Sequence, residues 1–346
     1  MSTGHPNGSA NKQTKIKTDI ITLTRFILEQ QQKVAPDATG ELTLLLNSLQ
    51  FAFKFIASTI RKAELIHLKG LYGETNSSGD SQKKLDVIGD EIFINAMRAS
   101  DKVKVLVSEE QEDLLIFEQN HGNYAVCCDP IDGSSNLDAG VSVGTIFSIF
   151  KLLPGSKGSI KDVLRCGNDL VAAGYTMYGA SAHLVLTTGY GVNGFTLDTQ
   201  LGEFILTEPD LKLPEYGHIY AINEGYFAYW PKKVQDYIVS LKKPQPEDGK
   251  PYKLRYIGAM VADIHRTLLY GGLFGYPADS HAKSGKLRIL YECFPMAWLM
   301  EQAGGLAVDE DGKRILDKTP KRIHERSGIW LGSKGEIEKI LKYIKQ

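Results

Sequence analysis

The sequence predicts a mixed α/β protein of two halves, on three observations. Helical and strand-like hydrophobic periods alternate along the chain. Its 346 residues suit two domains, or one large one with ample core. Proline-bearing connectors interrupt the pattern at Pro209–Pro214 and Pro244–Pro251. With 42% apolar and 23% charged residues, the chain has enough apolar surface to exclude disorder as a whole. Its 40 Lys+Arg stand against 41 Asp+Glu, which argues against binding nucleic acid through a broad basic face.

Taken in order, residues 1–18 are polar and read as a flexible N-terminal arm, with the pattern of neither a secretory signal nor a transit peptide. Leu42, Leu45, Leu46, Leu49, Phe53, Ile56 and Ile60 then recur at helical spacing, a long amphipathic helix reaching about Glu64. Asn47, Gln50 and Lys54 interrupt it, so no membrane span is expected. KGLYGETNSSGDSQ (69–82), polar and with three glycines, reads as a long mobile loop, followed by a helix at about Leu85–Ala99. Strands are expected at Lys102–Ser108, where Val103, Val105 and Val107 alternate, and at Tyr124–Cys128 and Val143–Leu153. Phe195–Thr199 and Glu203–Thr207 read as a hairpin. Further helices are expected at Pro231–Lys242, Met260–Tyr270, Pro295–Ala303 and Glu336–Lys345, the third stopped by Gly304-Gly305. The connector near 209–214 is the best boundary, leaving halves at 19–210 and 211–346. Cys127, Cys128, Cys166 and Cys293 form no Cys-x-x-Cys pair and read as reduced thiols of a cytoplasmic protein.

Acids collect where the chain leaves predicted strands: Ser108-Glu109-Glu110, Asp129-Pro130-Ile131-Asp132, and Tyr291-Glu292 at the end of the strand-like run Lys286–Tyr291. Open sheets place ligand sites at such ends. Asp129 and Asp132 flank a proline that fixes the turn, and two converging carboxylates require a proton or a cation between them. With Glu109 they form an oxygen-only set, suited to Mg²⁺ or Mn²⁺ rather than zinc. Gly133-Ser134-Ser135 follows at once and offers backbone N–H groups to a phosphate. Each motif alone is a common surface turn. Together they point to metal-assisted hydrolysis of a phosphate ester.

CDPIDGSSNLD (128–138), preceded by a Glu-Glu strand end, resembles the motif of the lithium-sensitive, magnesium-dependent phosphatases. GDSQKKLDV (79–87), LVSEE (106–110), INEGY (222–226), RYIGAMVADIHRTLLYGGLFGYP (255–277) and KLRILYECFPMAWLMEQAGG (286–305) narrow the resemblance to class I fructose-1,6-bisphosphatase, from about Asp19 to the end. That resemblance implies a layered α/β/α sugar-phosphatase fold in which an N-terminal nucleotide-binding half and a C-terminal substrate half share one active site. It implies a cytoplasmic homotetramer acting on fructose 1,6-bisphosphate in the gluconeogenic direction, with sedoheptulose 1,7-bisphosphate or an inositol phosphate as the alternative substrate. By motif match, Asp80, Glu109, Asp129, Asp132, Glu292 and the carbonyl of Ile131 would hold Mg²⁺, with Mn²⁺ able to substitute. Asp86 and Glu110 would orient and deprotonate the attacking water. Asn223, Tyr226, Tyr256 and Tyr276 would bind the 6-phosphate, joined by Arg255 from a neighbouring subunit. Met260 and Lys286 would line the sugar and its phosphates, with Arg288 a further candidate nearby. An inhibitory AMP site is implied at Thr39, Gly40, Glu41, Leu42 and Thr43, with Tyr124. Asn123 and Lys151 stand where animal members carry Lys and Arg, so weaker or altered AMP sensitivity is expected. The segment DSHAKSG (279–285) also departs from the pattern of relatives.

Overall fold

The computed structural model describes residues 18–63, 65, 70–75, 81–246 and 248–345. Asp80 and most of the expected N-terminal arm therefore lie outside the described residues.

Among the described residues, three helices come first: α1 (Leu23–Val34), α2 (Glu41–Lys62) and α3 (Lys84–Ala99). The expected loop at 69–82 is in part a hairpin, because Leu71–Thr75 and Ser81–Lys83 pair antiparallel. An eight-stranded sheet follows, formed by β1 (Val103–Ser108), β2 (Leu115–Ile116), β3 (Tyr124–Asp132), β4 (Val143–Lys151), β5 (Leu170–Tyr178), β6 (Ala182–Thr187), β7 (Asn193–Asp198) and β8 (Glu203–Glu208). Its spatial order is β8-β7-β6-β5-β4-β3-β1-β2. Only β1 and β3 run parallel in it, which brings Glu109-Glu110 and Asp129–Asp132 out at the same edge.

The second sheet comprises β9 (Ile219–Ala221), β10 (Lys253–Leu254), β11 (Leu273–Tyr276), β12 (Leu306–Val308) and β13 (Ile329–Gly332), in the order β10-β9-β11-β13-β12. The remaining helices are α4 (Lys232–Leu241), α5 (Met260–Tyr270), α6 (Phe294–Gln302) and α7 (Lys334–Ile344). Leu45, Phe53, Phe93 and Phe147 belong to the core that seats α1–α3 on one face of the large sheet. Ile146, Tyr175, Ile264 and Phe294 belong to the core that seats α5 and α6 on the other. Tyr237, Trp330, Ile337 and Ile340 seat α4 and α7 on the second sheet. The layers thus run α/β/α/β/α, two sandwiches that share the α5–α6 layer.

By length and composition α2 could span a membrane, although half of that stretch is buried within the protein. One expected strand is cut short to two residues, which pair with Arg326–Ser327. Only Leu287–Arg288 of the run Lys286–Tyr291 is extended, and Ile289–Cys293 forms a π-helical turn leading into α6. An apolar run buried on every side has no period by which to tell strand from helix.

Candidate active site

β3 carries the centre of the site. All nine of its residues are buried, and its pairing with β4 is irregular between Asp129 and Asp132. The Asp129 carboxylate accepts from the Ile131 N–H at 3.0 Å, and the Thr145 hydroxyl donates to the Pro130 carbonyl at 2.7 Å. These bonds hold the Asp-Pro turn from both sides. Asp132 accepts from the Val261 N–H at 2.7 Å, at the start of α5, where the helix dipole favours a carboxylate. Glu292 sits on the π-helical turn and accepts from the Arg288 N–H at 2.6 Å.

Ligand oxygens of Asp129, Asp132 and Glu292 lie within 4.8 Å of one another, and all three residues are buried. Burial raises each carboxyl pKa, and repulsion from Glu109 raises it further. Asp132 reaches about 7 and Glu292 about 8, although Val261 opposes the first shift and Arg288 the second. Asp86, in the first turn of α3, is pushed to about 6, chiefly by burial. Its Oδ1 is buried without a hydrogen-bond partner among the described residues. Arg288 Nη2 lies 3.0 Å from Glu109 Oε1. A buried set of oxygen donors that repel one another, with an unsatisfied acceptor close by, fits a hard divalent cation.

A cleft of about 700 Å³ opens over this set. Asp86, Glu109, Glu110, Asp129, Ile131, Asp132 and Glu292 line its floor, and Gly133, Ser134 and Ser135 line it beside them. Asn223, Tyr226, Tyr256, Met260, Tyr276, Lys286 and Arg288 come to it from the C-terminal half. Lys286 lies over the Tyr276 ring at 6.0 Å. Burial raises the hydroxyl pKa of Tyr256 to about 12 and raises that of Tyr276 as well, so both remain donors at neutral pH. Arg255 is exposed and does not line the cleft of its own chain.

Sequence reasoning did not single out Lys83, Asn136 or Asp263, which also line the cleft. The Asn136 amide donates to the Gly258 carbonyl at 3.2 Å, tying the two halves together. Asp263 accepts from the Ile257 and Gly258 N–H groups and so shapes the wall next to Tyr256. All three lie within the stretches GDSQKKLDV, CDPIDGSSNLD and RYIGAMVADIHRTLLYGGLFGYP, yet nothing in those stretches separates them from their polar neighbours.

The second candidate set is gathered elsewhere. Gly40 caps α2 with φ 81°, and Glu41, Leu42 and Thr43 form the first turn after the exposed Thr39. The Asn123 amide donates to Glu41 at 3.4 Å, and Tyr124 pairs with Lys151 across β3 and β4. The Thr43 hydroxyl is already donated to Gln31 at 2.8 Å.

Two family models match the chain: the fructose-1-6-bisphosphatase N-terminal domain over residues 21–209 and the C-terminal domain over residues 213–345. The fructose-1,6-bisphosphatase of Kluyveromyces lactis is 66% identical over 339 residues, 95% of this chain and 96% of the relative. The cytosolic fructose-1,6-bisphosphatase of Brassica napus is 53% identical, over 93% of this chain and 94% of its own. The holo crystal structure of the Leishmania major fructose-1,6-bisphosphatase superposes with a TM-score of 0.89 at 43% identity, covering 94% of this chain and 99% of that one.

Proposed function

This chain belongs to the fructose-1,6-bisphosphatase family, and from that premise we propose that the cleft over Asp129, Asp132 and Glu292 is where it hydrolyses fructose 1,6-bisphosphate to fructose 6-phosphate and inorganic phosphate. The observation that carries the assignment is the convergence of three buried carboxylates within 4.8 Å beneath that cleft. Glu109, Asp129, Asp132, Glu292, the Ile131 carbonyl and Asp80 would hold the divalent ion, with Mg²⁺ the fitting metal and Mn²⁺ a substitute. Held by those residues, the ion would supply charge to offset the ester oxygens and would make a nearby water more acidic.

The chain's own groups do the rest. Asp86 and Glu110 orient the attacking water and take its proton, in keeping with an Asp86 Oδ1 that has no partner among the described residues. The N–H groups of Gly133, Ser134 and Ser135 donate to the transferring phosphoryl oxygens. Asn223, Tyr226, Tyr256, Tyr276 and Lys286 hold the distal phosphate, and Met260 and Arg288 border the sugar. Arg255, exposed and outside the lining of its own cleft, serves that of a neighbouring subunit in a homotetramer. The set around Glu41, Asn123, Tyr124 and Lys151 takes AMP as an inhibitor, and residues 19–210 and 211–346 are the two domains. A cytoplasmic location agrees with the cytosolic plant relatives.

Phosphate release tests the reading. Fructose 1,6-bisphosphate should be turned over with Mg²⁺ and not in EDTA. Sedoheptulose 1,7-bisphosphate and inositol monophosphate should be turned over more slowly. Faster release from either competitor would overturn the substrate assignment.

A further inference from the structure

We propose that Asp90 is a positioning residue that aims the Glu109-Glu110 turn into the cleft; the role rests on the reading of that turn as part of the metal and water site. Asp86 and Asp90 stand one turn apart on α3 and so project from the same side of the helix. Asp86 lines the cleft, whereas Asp90 lies behind it at 3% exposure. Both oxygens of Asp90 are committed to the turn. Oδ1 accepts from the Ser108 hydroxyl at 2.6 Å, and Oδ2 accepts from the Gln111 side-chain amide at 2.5 Å.

Those two donors bracket Glu109 and Glu110 in the chain. The backbone of the turn is held as well: the Glu109 N–H donates to the Cys128 carbonyl at 3.1 Å, and the Gln111 N–H to the Ser108 carbonyl at 3.3 Å. From the C-terminal half, His324 Nε2 lies 3.0 Å from the Gln111 carbonyl, and the Tyr291 hydroxyl lies 2.8 Å from His324 Nδ1. The turn is thus clamped from both halves, and Asp90 is the side-chain anchor of the N-terminal one. An apolar residue would fill this space at lower cost than a buried acid. What the acid adds is two directional bonds, one on each flank of the carboxylates, so α3 places one catalytic acid directly and a second through Asp90.

The test uses the full chain with Asp90→Ala, Asp90→Asn, Gln111→Ala and Glu110→Gln, assayed on fructose 1,6-bisphosphate across a Mg²⁺ titration. Asp90→Ala should lower kcat by roughly 10- to 100-fold and raise the half-saturating Mg²⁺, as loss of a ligand's supporting partner does. KM for the bisphosphate should stay within about twofold, because the distal-phosphate groups are untouched. Asp90→Asn keeps an acceptor for Ser108 and a donor for a rotated Gln111 amide, so it should recover most of the lost kcat. Wild-type kcat and metal dependence in Asp90→Ala overturn the proposal, as does an Asp90→Asn protein as poor as Asp90→Ala. Should Asp90→Ala not fold, Gln111→Ala decides: a kcat loss at unchanged KM supports the role, and unaltered activity overturns it. Glu110→Gln separates the two levels. If it stays active, the reading of the turn fails and the Asp90 role with it. If it is inactive beside a normal Asp90→Ala, the Asp90 role alone fails.

Discussion

At Gly133 the chain turns from the Asp-Pro strand into the segment that carries Ser134 and Ser135, with φ 79°. A Cβ there would stand 2.5 Å from the Cβ of Ala259, at the start of α5. Gly133→Ala therefore meets both an unfavourable backbone and a steric contact. It should destabilise the protein by about 1–3 kcal/mol, read by denaturant unfolding, and lower kcat by shifting the proposed phosphoryl donors. Asp86 separates chemistry from stability. Asp86→Asn should lower kcat by roughly 10²- to 10⁴-fold, the usual worth of a general base. Its thermal midpoint should hold or rise, because a charge opposed by burial has been removed. A variant with near-normal kcat would exclude Asp86 as the base.

Among the elements, α2 was legible because its buried Leu45, Leu46, Leu49, Phe53 and Ile56 recur at helical spacing; α3, α5 and the β7–β8 hairpin stand close to where they were expected. Also legible were the acids leaving β1 and β3, which a parallel pair places at one edge. Other elements left no such trace. α1 buries only Leu23 and Ile27, too few to set a period. β5 and β6 are buried almost throughout, so the alternation of a half-exposed strand is missing. Glu292 read as a strand end, but it stands on the π-helical turn, whose five residues are all buried and so show no period. Asp90 and Asp263 went unnoticed because a single acid on a helix becomes informative only once its partners are known. At the start of α2 the dipole suits an anion, yet Glu41 already occupies the first turn and holds the Asn123 amide. Asn123→Lys would pair with Glu41 and add a cation beside the proposed nucleotide site. It should lower the AMP concentration for half-inhibition several-fold, by about 1 kcal/mol, and leave uninhibited kcat unchanged. No inhibition of either protein by millimolar AMP would exclude the site.

For the molecule as a whole, the buried acids tie stability to pH and metal together. Folded Asp86, Asp132 and Glu292 titrate at about 6, 7 and 8, above the 3.8 and 4.5 of unperturbed Asp and Glu. Between those ranges the native state holds more protons than the unfolded chain, so stability falls as pH rises. In EDTA the thermal midpoint should drop progressively from about pH 4 to about pH 8. Mg²⁺ should restore it most at the alkaline end, where no proton competes for the carboxylates. A midpoint that climbs with pH across this window in EDTA would contradict the account. The far border of the large sheet matters to neighbouring molecules instead. β8 is its last strand, yet the Leu206 N–H donates to the Ile21 carbonyl at 2.8 Å, and Thr22 bridges to Ile205. A bare strand edge is a template on which another chain can add itself. The residues just before α1 occupy that seat, so they guard against self-templated precipitation as much as they complete a fold, and a chain begun after Thr22 should cloud on warming sooner than the whole one.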